Sequence, residues 1–370
     1  MNDRNGYIIL NLLNGIGHAK VKSLLERFEH VENIFAQSQA NLMTANGIGT
    51  KLAEQIAGWQ NIVNLEHELE FAAKGGVNII TLADDNYPAI LKEIYDPPLC
   101  LYVRGVLPEF GRKSIAVVGS RRVTNYGRKM ARHLSESLGY AHWTVVSGLA
   151  YGVDAIAHQA CLDAGGITIA VLGSGLARIH PQDHIPLARN IIKQGGAVIS
   201  EFPMDFPASR QSFPRRNRIV SGLCRSTLVI EAGFKSGALI TANCALEQGR
   251  SVFAVPGQAD NPQAKGCNKL IRDGAVLTED IEDILNDLEF QPDLFATHET
   301  NNIATKAPLD LSQFNENERK VIEALQAGSL SLDELAAITE IDAGSLMSLM
   351  MKLEIEQVVS QLPGKIYILT

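Results

Sequence analysis

The chain has 370 residues, 46% hydrophobic and 20% charged, which is enough apolar material for a core and excludes wholesale disorder; at roughly 150 residues per domain it holds two to three domains. Its 31 glycines and 14 prolines exclude collagen-like and low-complexity classes, and no apolar run approaches the ~20 residues that cross a bilayer, so no membrane partner is expected. The net charge of -8 hides a basic middle: residues 108–275 carry 20 Lys+Arg against 11 Asp+Glu, and the remainder 13 against 30, a local footprint for an anion.

Met1–Gly6 lacks the basic stretch and apolar run of a secretory signal. Cys100, Cys161, Cys224, Cys244 and Cys267 are widely spaced with no C-x-x-C pair. Neither a zinc site nor a disulfide framework is expected, and reduced thiols of a cytoplasmic protein are the better reading.

Residues 1–70 have the pattern of short helices. Two turns recur, Asn14-Gly15-Ile16-Gly17 and Asn46-Gly47-Ile48-Gly49, each followed by a helical pattern, His18–Phe28 and Thr50–Trp59. Gly-apolar-Gly between helices resembles the helix-hairpin-helix module, whose glycines let backbone amides approach a DNA phosphate. A small protein-interaction domain with glycine caps is the alternative. Residues 71–107, with Asn86-Tyr87-Pro88 and Asp96-Pro97-Pro98, are a turn-rich connecting segment.

From Ile115 short apolar runs alternate with helical stretches: Ile115–Val118, Tyr126–Leu138, Thr144–Val146, Val153–Ala164, Ile167–Leu172, Ile185–Gln194, Val198–Ser200, Thr227–Ile230, Leu239–Gln248, Val252–Val255, and Val276–Leu277 after a last helix. This alternation predicts an α/β fold with a doubly wound, mostly parallel sheet over residues 108–288, binding its ligand at the carboxyl ends of the strands. Residues 289–308 are polar and aperiodic, a linker. Residues 309–370 show three helices, Asn315–Ala327, Ser331–Ala337 and Gly344–Glu354, then Val358–Leu362 and Ile366–Leu369 around Pro363-Gly364. That is winged-helix order, with too few basic residues to favour DNA over protein as its partner.

Three strand ends carry small residues and hydroxyls before a helix. They are Val118-Gly119-Ser120-Arg121-Arg122-Val123-Thr124, Val146-Ser147-Gly148-Leu149-Ala150-Tyr151-Gly152, and Glu231-Ala232-Gly233-Phe234-Lys235-Ser236-Gly237-Ala238. Together they can line one anionic groove, with helix N-termini and forked arginine contacts holding phosphate. Neither G-x-G-x-x-G nor G-x-x-x-x-G-K-[ST] is present, so no nucleotide cofactor is expected. The densest basic segment, Arg210-Gln211-Ser212-Phe213-Pro214-Arg215-Arg216-Asn217-Arg218, pairs arginines for phosphate with an aromatic for stacking; a solvated turn is the alternative. Catalytic signals are sparse. Asp154 and His158 share a helix face without a third metal ligand, and His180 before Pro181 has the character of a local hydrogen bonder. Glu231 is the one candidate general base.

Several long blocks resemble the DprA (Smf) family of DNA-processing proteins: Val118–Arg122, Ser147–His158, Phe213–Leu223, Glu231-Ala232 with Ser236–Ala242, Val255-Pro256-Gly257 and Gly266–Ile271. The resemblance spans about residues 86–278. It implies an extended Rossmann-like core that binds single-stranded DNA and dimerises, with no catalysis. It also implies protection of incoming DNA and loading of the RecA recombinase onto it during natural transformation. By motif, the strand would contact Gly119, Ser120, Arg121, Ser147, Gly148, Arg215, Asn217, Arg218, Lys235, Ser236 and Gly237. Ala177 and His180 depart from the family's usual Asp and Tyr, so the resemblance does not assign this loop a role; Arg178 within it is an additional phosphate candidate. The competing reading is an enzyme similar to nucleotide phosphoribohydrolases, with Glu231 acting on the glycosidic bond of a small phosphorylated nucleotide.

Overall fold

The computed structural model describes residues 2–110, 113–289, 314–326, 330–339, 341–355, 358–362 and 366–369. Met1–Pro292 and Asp293–Thr370 form two compact units.

The first unit opens with α1 (Asp3–Leu12), α2 (His18–Phe28), α3 (Val31–Phe35), α4 (Gln39–Leu42), α5 (Thr50–Ala57) and α6 (Leu65–Lys74). The two repeated turns fold alike. Gly15 and Gly47 have φ of +81° and +77°, the left-handed region that glycine enters without steric cost. Ile16 and Ile48 are buried, and Gly17 and Gly49 cap α2 and α5. These helices do not stand apart: Ile8, Leu24, Ile34 and Ile56 belong to the same apolar cluster as Ala170, Leu172 and Val198 of the sheet region.

The stretch 71–107, expected as a connecting segment, supplies two strands, β1 (Asn78–Thr81) and β2 (Cys100–Gly105), around α7 (Ala89–Lys92). They pair antiparallel with each other, and β2 pairs with β6 below. Both are short and buried along most of their length, so neither shows the period-two alternation that marks a strand with a solvated face. The run then continues through β3 (Ser114–Val118), α8 (Asn125–Tyr140), β4 (Thr144–Ser147), α9 (Val153–Asp163), β5 (Thr168–Val171), α10 (Ile185–Lys193) and β6 (Ala197–Ser200). It closes with α11 (Ser212–Gly222), β7 (Ser226–Val229), α12 (Gly237–Glu247), β8 (Ser251–Ala254), α13 (Lys265–Arg272), β9 (Val276–Leu277) and α14 (Ile281–Glu289).

The sheet order is β1-β2-β6-β5-β4-β3-β7-β8-β9, parallel from β6 to β9. The chain steps outward from β3 through β4, β5 and β6, then returns to place β7 on the other flank of β3. The loops after β3 and β7 therefore part in opposite directions and leave a crevice, the switch point where such sheets take their ligands. Alternate residues of β3 face opposite layers. Ile115 and Val117 pack with α8 and α9, and Ala116 and Val118 with α11 and α12.

The second unit holds α15 (Glu316–Gln326), β10 (Leu330–Ser331), α16 (Leu332–Thr339), α17 (Ala343–Ile355), β11 (Val359–Leu362) and β12 (Ile366–Leu369). Its antiparallel sheet has the order β10-β12-β11, and Val321, Leu335, Leu346 and Leu353 form its core. This is a winged-helix arrangement. The Pro363-Gly364 turn and, apart from Glu289, the linker 289–308 lie outside the described residues. Among the described residues no helix is long and apolar enough to cross a membrane, and no acid, histidine or cysteine cluster could hold a metal. All five cysteines are free, and only Cys244 is not buried.

Candidate nucleic-acid interface

The loop after β3 is shaped by close contacts that leave room for hydrogen alone. A Cβ on Gly119 would lie 2.6 Å from the Val153 side chain and 3.1 Å from the Glu231 carbonyl. Gly152, at φ +82°, packs against the Ser120 and Arg121 carbonyls. The Ser120 amide donates to the Glu231 carbonyl at 2.7 Å, so this amide is spent on the fold. Its hydroxyl accepts the Arg122 amide at 3.1 Å, a local turn that leaves Arg121 and Arg122 exposed. After β7, the Ser236 hydroxyl accepts the Ala238 amide at 3.3 Å and caps α12, with Lys235 exposed beside it.

The arginine-rich segment is helical rather than a solvated turn. Ser209 and Ser212 exchange amide-to-hydroxyl bonds at 2.9 and 3.0 Å across the turn that leads into α11, and Pro214 falls in the first turn of α11, where no intrahelical donor is needed. The helical period then sorts the side chains. Phe213, Arg216, Asn217 and Val220 face the crevice. Arg215 and Arg218 turn the other way, toward Glu201, which is 1% exposed: Arg215 lies 3.0 Å from its carboxylate and over the Phe202 ring, and Arg218 lies 2.8 Å from it and 2.9 Å from Asp96.

The crevice is a cleft of about 670 Å³ at the carboxyl ends of β3, β4 and β7. It brings together Gly119, Ser120, Arg121, Gly148, Asn217, Lys235, Ser236 and Gly237 of the expected contacts. Three others stand outside it. Ser147 is buried and donates to the Val117 carbonyl at 2.6 Å, tying β4 to β3. Arg215 and Arg218 are held by Glu201, because positions three apart on a helix share a face and here that face is not the cleft's. Arg178 is likewise engaged, 2.7 Å from Asp205, while His180 packs its ring on Phe213 at 5.8 Å.

Motif matching missed Arg122, Arg210, Arg216, Thr241 and Gln263, all in the cleft wall. Arg216 had a findable signal: with a helical reading, Ser212, Arg216, Ile219 and Val220 form the buried stripe. Its Nη1 donates to the Gly148 carbonyl at 2.7 Å and to the Val171 carbonyl, and its Nε to Asn217 Oδ1 at 3.3 Å. Burial lowers its pKa to about 10, with Asp154 opposing the fall and Arg121 adding to it, so it remains a cation at neutral pH. Arg121, Arg122, Arg210 and Lys235 are exposed at the rim and form no ion pair among the described residues. Arg121 also lies over the Phe213 ring, 5.3 Å from its centroid.

Glu231, the candidate general base, has another occupation. It is 3% exposed, accepts the Thr124 amide at 3.1 Å and the Thr124 hydroxyl, and so anchors the N-terminus of α8. It is absent from the cleft lining. Asp154 accepts the Ala150 amide at 3.3 Å in the first turn of α9; burial raises its pKa, against the charge of Arg216. His158 does not join Asp154 in a ligand set: it is fully buried, with Nδ1 2.6 Å from Thr168 Oγ1.

Comparison with known proteins agrees with this architecture. Residues 78–289 match the profile of the DNA recombination-mediator protein A family, residues 304–365 that of the DprA winged helix domain, and residues 9–57 that of the SAM-like helix-hairpin-helix tandem. Protein Smf of Escherichia coli strain K12 is 45% identical over 227 residues, a match spanning 61% of this chain and 61% of that one. Protein Smf of Synechocystis is 35% identical over 96% of each chain. Among solved structures, DNA processing protein A from Streptococcus pneumoniae is similar at TM-score 0.68 and 33% identity, covering 79% of this chain and all of that one. DNA processing protein A from Helicobacter pylori, solved for its single-stranded DNA binding mode, is similar at TM-score 0.50 and 29% identity, over 57% of this chain and 94% of that one. The chain belongs to the DprA/Smf family.

Proposed function

We propose that this protein binds single-stranded DNA in the switch-point cleft and hands it to a recombinase without cleaving it. One observation carries the reading: four exposed cations that form no ion pair among the described residues, and a buried fifth, surround a cleft that also presents an aromatic ring. Free guanidinium and ammonium groups release counterions when they meet phosphates, and Phe213 offers a face to an unstacked base. The geometry is open to a chain of any sequence. Glu231 is spent on the fold, so the cleft lacks the carboxylate that the phosphoribohydrolase reading required.

The family description, a DNA recombination mediator, and the name of the Helicobacter relative support single-stranded DNA as partner and a role in recombination; RecA as recipient is the further step proposed from the family resemblance. Protection of incoming DNA in the cytoplasm during natural transformation, by a homodimer, completes the proposal. Its contact residues are Arg121, Arg122, Arg210 and Lys235 for phosphates, with Gly119, Ser120, Gly148, Asn217, Ser236 and Gly237 lining the path.

Two assays test it. Affinity for a long oligonucleotide is measured from low to moderate salt: four phosphates engaged on a single strand predict a log-log slope of about -3. Strand exchange with RecA and single-strand binding protein is then compared with and without this protein. Salt-independent binding contradicts the first part, and no stimulation of exchange contradicts the second.

A further inference from the structure

Tyr95 is 92% exposed, the most exposed large apolar side chain among the described residues, and its hydroxyl has no hydrogen-bond partner among them. Tyr126 and Tyr151, about half exposed, are tethered instead, donating to the Pro256 carbonyl at 3.0 Å and to Asp183 at 2.7 Å. The backbone at Tyr95 is nonetheless fixed from both sides. Ile94 is buried beside Gly222 of α11. His18, the first residue of α2, donates to the Tyr95 carbonyl. Asp96 holds Arg218 at 2.9 Å, and the Pro98 carbonyl accepts the buried Tyr87 hydroxyl at 2.8 Å. An anchored segment thus presents a ring with both faces in water. Such an aromatic loses little conformational entropy when a flat partner covers it.

The charge around the ring selects that partner. The neighbouring acids are paired within the fold, Asp96 with Arg218 and Glu93 with Arg250 at 3.2 Å. Lys22, one turn along α2 from His18, and Lys92, over the Tyr87 ring, are exposed and form no ion pair among the described residues. A bare aromatic beside a positive excess suits an unstacked base on a polyanionic backbone. Tyr95 is absent from the cleft lining, yet it is near. Arg218 lies five positions after Phe213 and on the other side of α11, a step of roughly 7.5 Å along a helix about 10 Å wide. We propose that a single strand leaving the cleft crosses α11 and stacks one base on Tyr95. This rests on the single-strand reading above and adds to it a second contact, one that only a strand longer than the cleft can reach. The span stays within the roughly 4–16 nucleotides that single-strand sites cover.

The test uses the full chain and thymidine oligonucleotides of about five and about twenty-five nucleotides. Tyr95→Ala should weaken the long strand about fivefold or more, the loss of one stacked base, and leave the short strand within about twofold of wild type. Its salt slope should not change, because no phosphate contact is removed. Tyr95→Phe should bind both strands as wild type does, since the ring and not the hydroxyl is used. In Tyr95→Trp the long strand should quench indole emission and the short strand should not, beyond any change that Trp59 and Trp143 give in the wild type. Equal losses on both strands, or none on either, overturn the stacking contact and leave the cleft reading standing. Normal binding of both strands by Tyr95→Ala with loss of stimulated exchange by RecA also overturns it, and gives the ring to a protein partner. Absence of salt-dependent binding to wild type overturns the reading on which it rests.

Discussion

The Arg218 guanidinium and the Glu201 carboxylate meet at 2.8 Å, the one side chain 13% and the other 1% exposed, with Asp96 closing the arginine's far side at 2.9 Å. Removing one partner of a sequestered pair strands the other charge, typically at 3–5 kcal/mol. Arg218→Ala is therefore predicted to lower unfolding free energy by about 3 kcal/mol, the low end of that range because Arg215 still lies 3.0 Å from the Glu201 carboxylate. The fraction that remains folded should keep the wild-type salt slope on single-stranded DNA. Chemical denaturation and a salt titration separate the effects; a flattened slope with unchanged stability would show Arg218 to be a phosphate contact after all.

Arg121 should behave in the opposite way. It is exposed and its neighbour in the cleft is the Phe213 ring. Arg121→Ala is expected to leave the melting temperature within about a degree, since exposed substitutions away from caps and pairs stay within about 0.5 kcal/mol. It should weaken binding to all sequences alike and reduce the salt slope by about 0.7, the value for one phosphate on a single strand. An unchanged slope would remove Arg121 from the proposed path.

Glu231→Gln tests the carboxylate's structural role. The charged oxygens hold the Thr124 amide and hydroxyl at the start of α8, where negative charge also complements the helix dipole. Loss of the charge is expected to cost about 1–2 kcal/mol of stability with DNA affinity unchanged. Release of free base from nucleoside monophosphates by the wild type, abolished in this variant, would instead restore the enzyme reading.

His158 sets a pH dependence of stability. Its ring is enclosed, donating through Nδ1 to Thr168 Oγ1, whose own hydroxyl donates to the Val145 carbonyl. Burial pushes its pKa down to about 3, helped by the charges of His184 and Arg216. The native state thus holds this histidine neutral while the unfolded chain binds a proton below about pH 6.5. The sign follows: its contribution is complete above pH 6.5 and is lost as pH falls from there toward 3, by up to about 1.4 kcal/mol per unit. Between pH 7 and 5 this residue should cost the wild type about 2 kcal/mol that His158→Gln does not lose. Parallel denaturation curves for the two proteins at both pH values would refute the assignment.

Much of the fold was legible because its strands and helices carry local periodicity. The runs from Ile115 to Val255 alternate as a doubly wound sheet requires, and every strand read there is a strand. β1 and β2 escaped because strong turn signals flank them and burial leaves them no polar face. α11 escaped because arginines, a proline and a terminal glycine mimic a loop, and its N-cap, Gln211, makes no side-chain capping bond. Within the site, the glycine and serine loops were placed by motif. The roles of the arginines were not, because Arg216 lies one and two positions from Arg215 and Arg218 and so points to a different side of the helix.

The residue types and their spacing by themselves determined the layer order, the three small-residue loops and the excess of positive charge at the middle of the chain. Tertiary structure alone decided which charges are free. Glu201 and Asp96 neutralise Arg218, Asp205 neutralises Arg178, and no acidic side chain among the described residues reaches Arg121, Arg122, Arg210 or Lys235. The reason is physical: a cation's availability depends on which carboxylate the fold brings within a few ångströms. Asp96 and Arg218 lie 122 positions apart along the chain, a separation that local patterning does not encode.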